Sequence, residues 1–255
     1  MSAGRPLSAR SIIASTLLGT HPPVLASRLL VAFTAEFGVS EGATRVALSR
    51  MIDRGEVSNS EGRYALEGAL LERQRRQEAG LAPDPKPWTG EWEMVVVRPG
   101  SRAGSDRAAL RVALAHLNLG ERREGTWLRP DNLDPERLPP DRAVVAAQAD
   151  RFTATTDRDP RALLRELFDL DSWQHGAARL RSRMNELRDP LGNGDQSVLA
   201  AGFEVAAAVL RHLVSDPLLP AEIEPAAWPA RALRADYDDY DRAYRSVLAA
   251  FFRQV

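Results

Sequence analysis

The sequence contains no cysteine, which excludes disulfide bonds, zinc sites with thiolate ligands and catalysis by a cysteine nucleophile. It contains only four histidines, and no two of them have the spacing of metal ligands on one helix. We therefore expect no metal and no cofactor. The absence of cysteine also fits a protein of a reducing compartment, and we expect a cytoplasmic location.

Lysine is almost absent as well, since Lys86 is the only lysine among 34 basic residues. The formal net charge is −1, so binding to nucleic acid would have to depend on a local cluster of arginines. Long apolar runs are also lacking. The run Ile12–Leu18 is too short to cross a membrane and is interrupted by Ser15 and Thr16, so no membrane association is predicted.

The common catalytic and phosphate-binding signatures are missing too. There is no GxSxG nucleophile motif, no Walker A motif and no GxGxxG dinucleotide motif. A chain of 255 residues with 44% hydrophobic residues can still bury a large core without cross-links. The sequence therefore predicts a folded protein that is not an enzyme.

The first 66 residues predict three helices followed by a β-hairpin. Ser8 and Ser40 are suited to cap the first and third helices, because serine side chains accept hydrogen bonds from free helix N–H groups. Three helices and a hairpin in this order are the plan of a winged helix. The predicted ranges are 8–19, 25–37 and 40–54 for the helices, 56–58 and 63–66 for the strands, and 59–62 for the loop.

The third predicted helix has one apolar and one polar side when its residues are placed at 100° intervals. Thr44, Ala47, Leu48 and Met51 fall within the apolar quarter, and the polar side carries Arg45, Ser49 and Arg50. Arginine can donate two hydrogen bonds to a guanine edge in the major groove. This polar side therefore predicts DNA binding, with Ser40 at the helix start and Arg63 in the wing as further contacts. The alternative is an ordinary solvated helix, since residues 1–79 hold ten arginines against eight acidic residues.

The rest of the chain predicts a linker, a mixed region and a helical region. Prolines at alternate positions, Pro83, Pro85 and Pro87, favour a linker at residues 81–90. Strand, helix, strand, strand and helix patterns then indicate a ferredoxin-like unit. Their ranges are 92–98, 105–119, 125–129, 143–149 and 161–170, and further helices are predicted at 173–187, 196–214 and 231–252. The predicted fold class is α+β and multidomain, with domains at 1–80, 91–170 and 171–255.

Five segments, in order along the chain, resemble the PaaX family of bacterial transcriptional regulators. They are ARSIIASTLLG (Ala9–Gly19), GVSEGATRVALSRMIDRGEV (Gly38–Val57) followed by EGRYAL (Glu61–Leu66), WTGEWEMVVV (Trp88–Val97), GTWLRPDNL (Gly125–Leu133) and LRHLVSDPLLPAEIEPAAWPARAL (Leu210–Leu233). One such segment would be weak evidence. Five in family order, spread over most of the chain, make the resemblance specific.

The resemblance implies an N-terminal winged helix-turn-helix, a central ferredoxin-like domain similar to the CRISPR protein Cas2, and a C-terminal helical domain. It also implies a homodimer that represses a catabolic operon by binding double-stranded operator DNA. An aryl-acyl-CoA thioester, phenylacetyl-CoA in the best-known members, would release it from DNA. The short wing, Asn59-Ser60-Glu61-Gly62, departs from the arginine-rich wing typical of the family, so a weaker wing–DNA contact is expected.

A pocket for such an effector would need an apolar wall and arginines for its phosphates. Arg98, Trp127 and Arg129 are predicted there, because strand ends at a domain junction are common ligand sites. Arg211 and His212 lie in the fifth family segment and are candidates for anion binding, although a packing role for His212 is favoured. Core packing is likewise the favoured role of each of the five tryptophans.

Two alternative functions stay open at this point. The first is a protein-interaction scaffold, since winged helices also bind proteins. The second is a Cas2-like metal-dependent nuclease, which would need a carboxylate at the end of the strand 92–98. Val97, Arg98 and Pro99 stand there instead, which argues against a nuclease. The acidic cluster 236–241 is interpreted as a solvated helix face.

Overall fold

The computed structural model describes residues 7–100 and 103–255. The chain forms two compact units. Among the described residues, the first comprises 7–75, 182–208 and 236–255, and the second comprises 76–181 and 209–235. Both units thus include residues of the segment 171–255, which was expected to form a domain of its own. The three-part division of the chain stays a prediction.

The first unit begins with three helices and a small sheet, as the sequence predicts. The helices are α1 (Ala9–Leu18), α2 (Ser27–Ala35) and α3 (Glu41–Asp53), and the strands are β1 (Val24–Ala26), β2 (Val57–Ser60) and β3 (Arg63–Leu66). Both predicted caps are confirmed, because the side chains of Ser8 and Ser40 accept backbone N–H groups of the first turn. A fourth helix, α4 (Gly68–Leu81), follows the sheet.

The predicted hairpin is confirmed, with a tighter turn than expected. β2 extends to Ser60, so only Glu61 and Gly62 connect it to β3. Both residues have positive φ, 51° and 76°, as in the two-residue turns that match the twist of a hairpin. The side chain of Asn59 accepts the N–H of Gly62 at 3.2 Å and closes the turn.

The sequence did not reveal β1, since residues 25 and 26 were assigned to the second helix. Leu25 instead pairs with Tyr64 of β3, and the sheet has the order β1-β3-β2. Three residues are too few to show an alternating pattern, and Leu25 also fits the helical spacing of Leu29 and Phe33. The tertiary pairing with β3 therefore decides the structure of this segment.

The second unit contains the βαββαβ order of a ferredoxin-like fold. Its elements are β4 (Trp92–Val97), α5 (Gly104–His116), β5 (Gly120–Arg123), β6 (Thr126–Pro130), α6 (Pro139–Gln148) and β7 (Ala149–Ala154). The strands form an antiparallel sheet with the order β5-β6-β4-β7. Val95, Leu114 and Val145 bring the sheet, α5 and α6 into one buried cluster.

One predicted strand of this unit is wrong, and two strands of the sheet, β5 and β7, were missed. Residues 143–149 mostly lie in α6, and the strand that follows is β7. The segment AVVAAQA is a short apolar run that fits either structure, and Pro139 at the start of the helix settles it. β5 was missed because its sequence, Gly-Glu-Arg-Arg, has no apolar alternation.

Apart from the short helix at residues 188–192, which was not predicted, the remaining helices agree with their predicted positions. They are α7 (Pro160–Leu167), α8 (Leu170–Glu186), α9 (Arg188–Gly192), α10 (Leu199–Val214) and α11 (Ala230–Gln254). The segment Gln196–Val214 is long and apolar enough to cross a membrane by length and composition alone. Core helices pass the same test, and Leu199, Val209 and Leu213 are buried within the fold.

Aromatic side chains of the C-terminal part complete the core of the first unit. The ring of Phe33 in α2 lies 5.6 Å from that of Phe203 and 6.1 Å from that of Phe252, both edge to face. The hydroxyl of Tyr240 donates to the carbonyl of Gly202 at 2.9 Å. The acidic cluster of α11, interpreted as solvated, is so only in part: Asp238 and Asp239 are exposed, whereas Asp236 and Asp241 are half-buried.

Candidate nucleic-acid interface

One side of α3 faces solvent and carries the three residues predicted to contact bases. Arg45, Ser49 and Arg50 are all exposed. On the opposite side Leu48 and Met51 are buried in the core of the first unit. The orientation predicted from the helical pattern is therefore confirmed, and the polar side of α3 is open to solvent.

A buried threonine pair fixes how α3 packs on α2. The hydroxyls of Thr34 and Thr44 lie 2.7 Å apart, and both residues are almost fully buried. Thr44 also hydrogen-bonds the carbonyl of Ser40 at 3.1 Å. Because buried hydroxyls need partners, this pair favours one rotation of α3 over others. Nothing in the sequence pattern links these two threonines.

Arg45 is held by a neighbour on its own helix. Its Nε and Nη2 both donate to Oε1 of Glu41, at 2.8 and 2.6 Å. Both side chains are well exposed, 65% for Arg45 and 59% for Glu41. An exposed pair of this kind contributes at most about 1 kcal/mol, so the guanidinium can exchange Glu41 for a base edge at small cost.

Ser40 has a structural role that is compatible with the predicted DNA contact. Its Oγ accepts the N–H of Ala43 at 3.3 Å and caps α3. The hydroxyl proton is still available to a phosphate oxygen. Free N–H groups and the helix dipole also make a helix N-terminus favourable for an anion.

The wing places Arg63 directly after the turn, at the first position of β3. Arg63 is exposed, and so is Glu61 two residues earlier. The opposite charges reduce the local positive potential, in agreement with the sequence-based doubt about a strong wing contact. Arg63 therefore stays a predicted phosphate contact.

A bidentate ion pair, which the sequence did not reveal, connects α1 to the loop before β2. Arg10 donates from Nε and Nη2 to the two carboxylate oxygens of Glu56, at 2.8 and 2.7 Å. The hydrogen bonds to Glu56 raise the pKa of the Arg10 guanidinium. Both hydrogen bonds run in parallel, a geometry that specifies orientation as well as charge. The pair therefore orients the base of the wing relative to α1.

In the second unit, Trp127 lies in a groove of about 850 Å³ between α5 and the β5–β6 hairpin. Leu110, Leu114 and Val97 form the apolar part of the groove with Trp127. The guanidinium of Arg111 lies 5.7 Å from the Trp127 ring centroid, in a cation–π arrangement. Charged side chains complete the lining: Arg107, Arg111, Arg123, Glu121 and Glu124.

Arg98 is not part of this groove lining. Its guanidinium bonds the carbonyl of Ala146 at 3.0 Å and the carboxylate of Asp150 at 2.8 Å, where α6 passes into β7. Arg98 therefore fastens the end of β4 to the neighbouring strand. Within residues 7–100 and 103–255, no three histidine or acidic side chains come together as metal ligands.

Arg129 is a structural residue in this fold, since it is fully buried. Its guanidinium donates to the carbonyls of Pro130 at 3.0 Å and Leu117 at 3.4 Å, and to Oδ1 of Asn132 at 2.8 Å. Burial lowers the pKa of the guanidinium to about 9, and the nearby cations Arg137 and Arg142 act in the same direction. The sequence-based interpretation as a ligand contact missed this burial.

The Arg129 network continues into the DPLLP segment of the fifth family motif. The amide of Asn132 donates to the carbonyl of Leu218 at 3.1 Å, and the amide of Asn118 donates to the carbonyl of Asp216 at 2.7 Å. The buried carboxylate of Asp216 accepts from Arg234 at 2.7 Å. Residues of the fourth and fifth motifs thus hold this part of the second unit together.

His212 packs between helices, as the favoured interpretation predicts. Its ring stacks on that of Trp173 at 4.5 Å, and Trp173 stacks on Trp228 at 4.6 Å. His212 Nε2 donates to the carbonyl of Trp173 at 3.0 Å, and burial is the main cause that lowers the pKa of the imidazole. Arg211 is exposed beside it. All four tryptophans buried in the second unit therefore have packing partners: Trp92, Trp127, Trp173 and Trp228.

Comparisons with known proteins agree with this geometry. The family described as PaaX-like protein matches residues 8–69, which contain α3 and the wing, and the PaaX protein central Cas2-like domain matches residues 85–163. The solved structure of the uncharacterized protein Rv0674 from Mycobacterium tuberculosis is 38% identical, covers 95% of this chain and 98% of its own, and has a TM-score of 0.71. No curated protein matches the chain. The winged helix, the ferredoxin-like unit and these matches together show that the chain belongs to the PaaX family, whose members are transcriptional regulators.

Proposed function

We propose that the protein is a cytoplasmic, homodimeric repressor of a catabolic operon, released from its operator by an aryl-acyl-CoA. The observation that carries the proposal is the exposed side of α3, with Arg45, Ser49 and Arg50 directed to solvent. In winged-helix regulators, side chains of such a helix read base edges while neighbouring groups bind phosphates.

The DNA-bound state follows from this surface. α3 lies in the major groove, where Arg45 or Arg50 donates two hydrogen bonds to a guanine. Ser40 and Arg63 contact phosphates on either side. A homodimer with two-fold symmetry presents two copies of α3, so the operator is close to palindromic.

The groove beside Trp127 is the proposed effector site. Its volume is within the range of small-molecule pockets, and its apolar part suits an aryl group. Arg111 and Arg123 are placed to bind anionic groups of a CoA thioester, and they replace Arg98 and Arg129 in that role. Effector binding favours a dimer whose two α3 helices no longer match the half-site spacing.

A gel shift tests both parts of the proposal. The purified protein is mixed with the DNA immediately upstream of its own gene, with and without phenylacetyl-CoA. We expect a shift that the thioester abolishes. A shift that persists in the presence of phenylacetyl-CoA would contradict the effector assignment only. No shift at low salt would contradict DNA binding and favour the protein-interaction scaffold.

A further inference from the structure

α3 presents an apolar side chain to solvent in the middle of its polar side. Val46 is 50% exposed, next to the arginines of the proposed DNA-reading surface. The large exposed hydrophobics of the described chain are few, and two of them lie on this helix: Leu7, Val46, Ile52, Val112, Phe152 and Val255. Valine is a poorer helix former than alanine, so an exposed valine here does not stabilise the free protein.

The residue one turn before Val46 is a glycine, so no side chain at that position covers the side chain of Val46. Gly42 precedes Val46 by four positions and therefore shares its side of the helix. A Cβ built on Gly42 meets no atom within 4 Å, and its φ is not positive, so neither packing nor backbone conformation requires glycine there. Helical side chains lean towards the N-terminus, which places Val46 over the bare turn at Gly42.

Gly42 and Val46 together form a small apolar patch that is exposed to solvent and does not contribute to the core. The patch is flanked by Ser49 and Arg50 one turn further on. The major groove displays one apolar group, the 5-methyl of thymine, and a small aliphatic side chain is its usual partner. The missing side chain at Gly42 allows the base edge to come close.

We infer that Val46 reads the 5-methyl group of a thymine in the operator and that Gly42 provides the space for it. The inference rests on the proposed function, because it assumes that α3 enters the major groove. It adds a sequence preference to that function: a thymine lies next to the base pair read by arginine in each half-site.

The test replaces each operator thymine in turn by deoxyuridine, which removes only the methyl group. The parent protein is expected to bind about 3- to 5-fold more weakly at one symmetric pair of positions, the effect of burying one methyl group. Val46→Ala is expected to bind the unmodified operator more weakly and to lose this sensitivity to deoxyuridine. The matched control is Ile52→Ala, which removes the other exposed aliphatic side chain of α3 and keeps the full sensitivity.

Gly42→Ala separates DNA contact from folding. Alanine has a higher helix propensity than glycine, and its Cβ would meet no other atom here. The variant is therefore expected to raise the Tm by about 2–4 °C. It is nevertheless expected to weaken operator binding several-fold, because its methyl group occupies the space for the base edge. A purely structural role of Gly42 would move both readouts in the same direction.

Three outcomes distinguish this inference from the proposed function. A parent protein that binds but ignores every deoxyuridine would overturn the thymine contact and leave DNA binding intact. A Val46→Ala variant that keeps the full deoxyuridine penalty would overturn the assignment to Val46. No binding to any DNA at low salt would overturn the proposed function itself.

Discussion

At the scale of single residues, arginines occupy opposite environments in this fold, since Arg45 on α3 is exposed and Arg129 on β6 is fully buried. The helical pattern places Arg45, Ser49 and Arg50 on the solvent side, and the structure confirms it. Arg129 was expected at a ligand site, yet it is fully buried. Arginines are rarely buried, and the oxygens that accommodate this one come from Leu117 and Asn132, which no local pattern connects to it.

Arg129→Ala is expected to lower the free energy of unfolding by about 3–5 kcal/mol. The substitution leaves a cavity and removes the donor from buried oxygens of Leu117, Pro130 and Asn132. Urea denaturation followed by circular dichroism measures the change. Arg122→Ala, an exposed arginine on the same sheet, is the control and is expected to stay within about 0.5 kcal/mol of the parent. A similar small effect for Arg129→Ala would contradict its structural role.

His212 is expected to make stability depend on pH below neutrality. Burial lowers the pKa of the folded imidazole, with Arg179 acting in the same direction and Asp216 in the opposite one. The unfolded chain therefore binds more protons, and stability present above pH ~6.5 is lost as the pH falls below that value. The Tm measured between pH 7.5 and 5.5 should fall less steeply in His212→Gln than in the parent.

The control for this measurement is His175→Gln. His175 is exposed on α8 and lies outside the buried stack, so the variant should follow the parent. Parallel pH profiles for His212→Gln and the parent would show that the buried stack does not sense pH.

At the scale of elements, long amphipathic helices were predictable and short strands were not. α3 and α11 have several turns of apolar periodicity, whereas β1 and β5 have three and four residues. Strands this short depend on their pairing partners, β3 and β6, and the pairing is a tertiary property. The misassigned strand at 143–149 has the same cause, since a short apolar run fits a helix and a strand equally.

The cap of α3 offers a test of how close its N-terminus comes to DNA. Ser40→Asp keeps an acceptor for the N–H of Ala43, so stability should stay close to the parent, whereas Ser40→Ala should lose about 1 kcal/mol. The added negative charge of Ser40→Asp should nevertheless weaken operator binding at least several-fold, because it repels the nearby phosphates. Fluorescence anisotropy with a labelled operator measures the affinity.

Ser8→Asp is the matched control, because Ser8 caps α1 in the same way. It should leave both stability and affinity close to the parent values. Equal affinities for Ser40→Asp and Ser8→Asp would place the N-terminus of α3 away from the phosphate backbone.

At the scale of the whole molecule, the α+β class and the family could be predicted from the sequence. The grouping of distant segments into two compact units could not. Residues 182–208 and 236–255 belong to the first unit through contacts such as Phe33–Phe203. Helical periodicity shows that a segment has an apolar side and does not show which core that side joins. The Trp127 groove was missed in part for the same reason, since its arginines come from α5 and β5.

Effector release is a property of the assembled regulator, and the groove makes a prediction for it. Arg123→Ala should raise the phenylacetyl-CoA concentration that releases half of the bound DNA, because a cation of the groove lining is lost. The control is Arg122→Ala. Arg122 is the neighbouring arginine, but it pairs with Glu166 at 3.0 Å and does not line the groove, so this variant should release DNA at the same thioester concentration as the parent. Titration of the protein–operator complex measures both, and identical release curves would exclude the groove as the effector site.

The most direct test of the central claim, that the exposed side of α3 reads DNA, compares Arg45→Ala with Arg242→Ala. Arg242 also forms a well-exposed ion pair, with Asp239 one turn before it on α11, so both variants remove the same charge from a helix surface. Affinity for the operator is measured by anisotropy in an excess of unrelated DNA. Arg45→Ala should lose about 1–3 kcal/mol of specific binding, while Arg242→Ala should bind like the parent. Equal affinities for the two variants and the parent would contradict the claim.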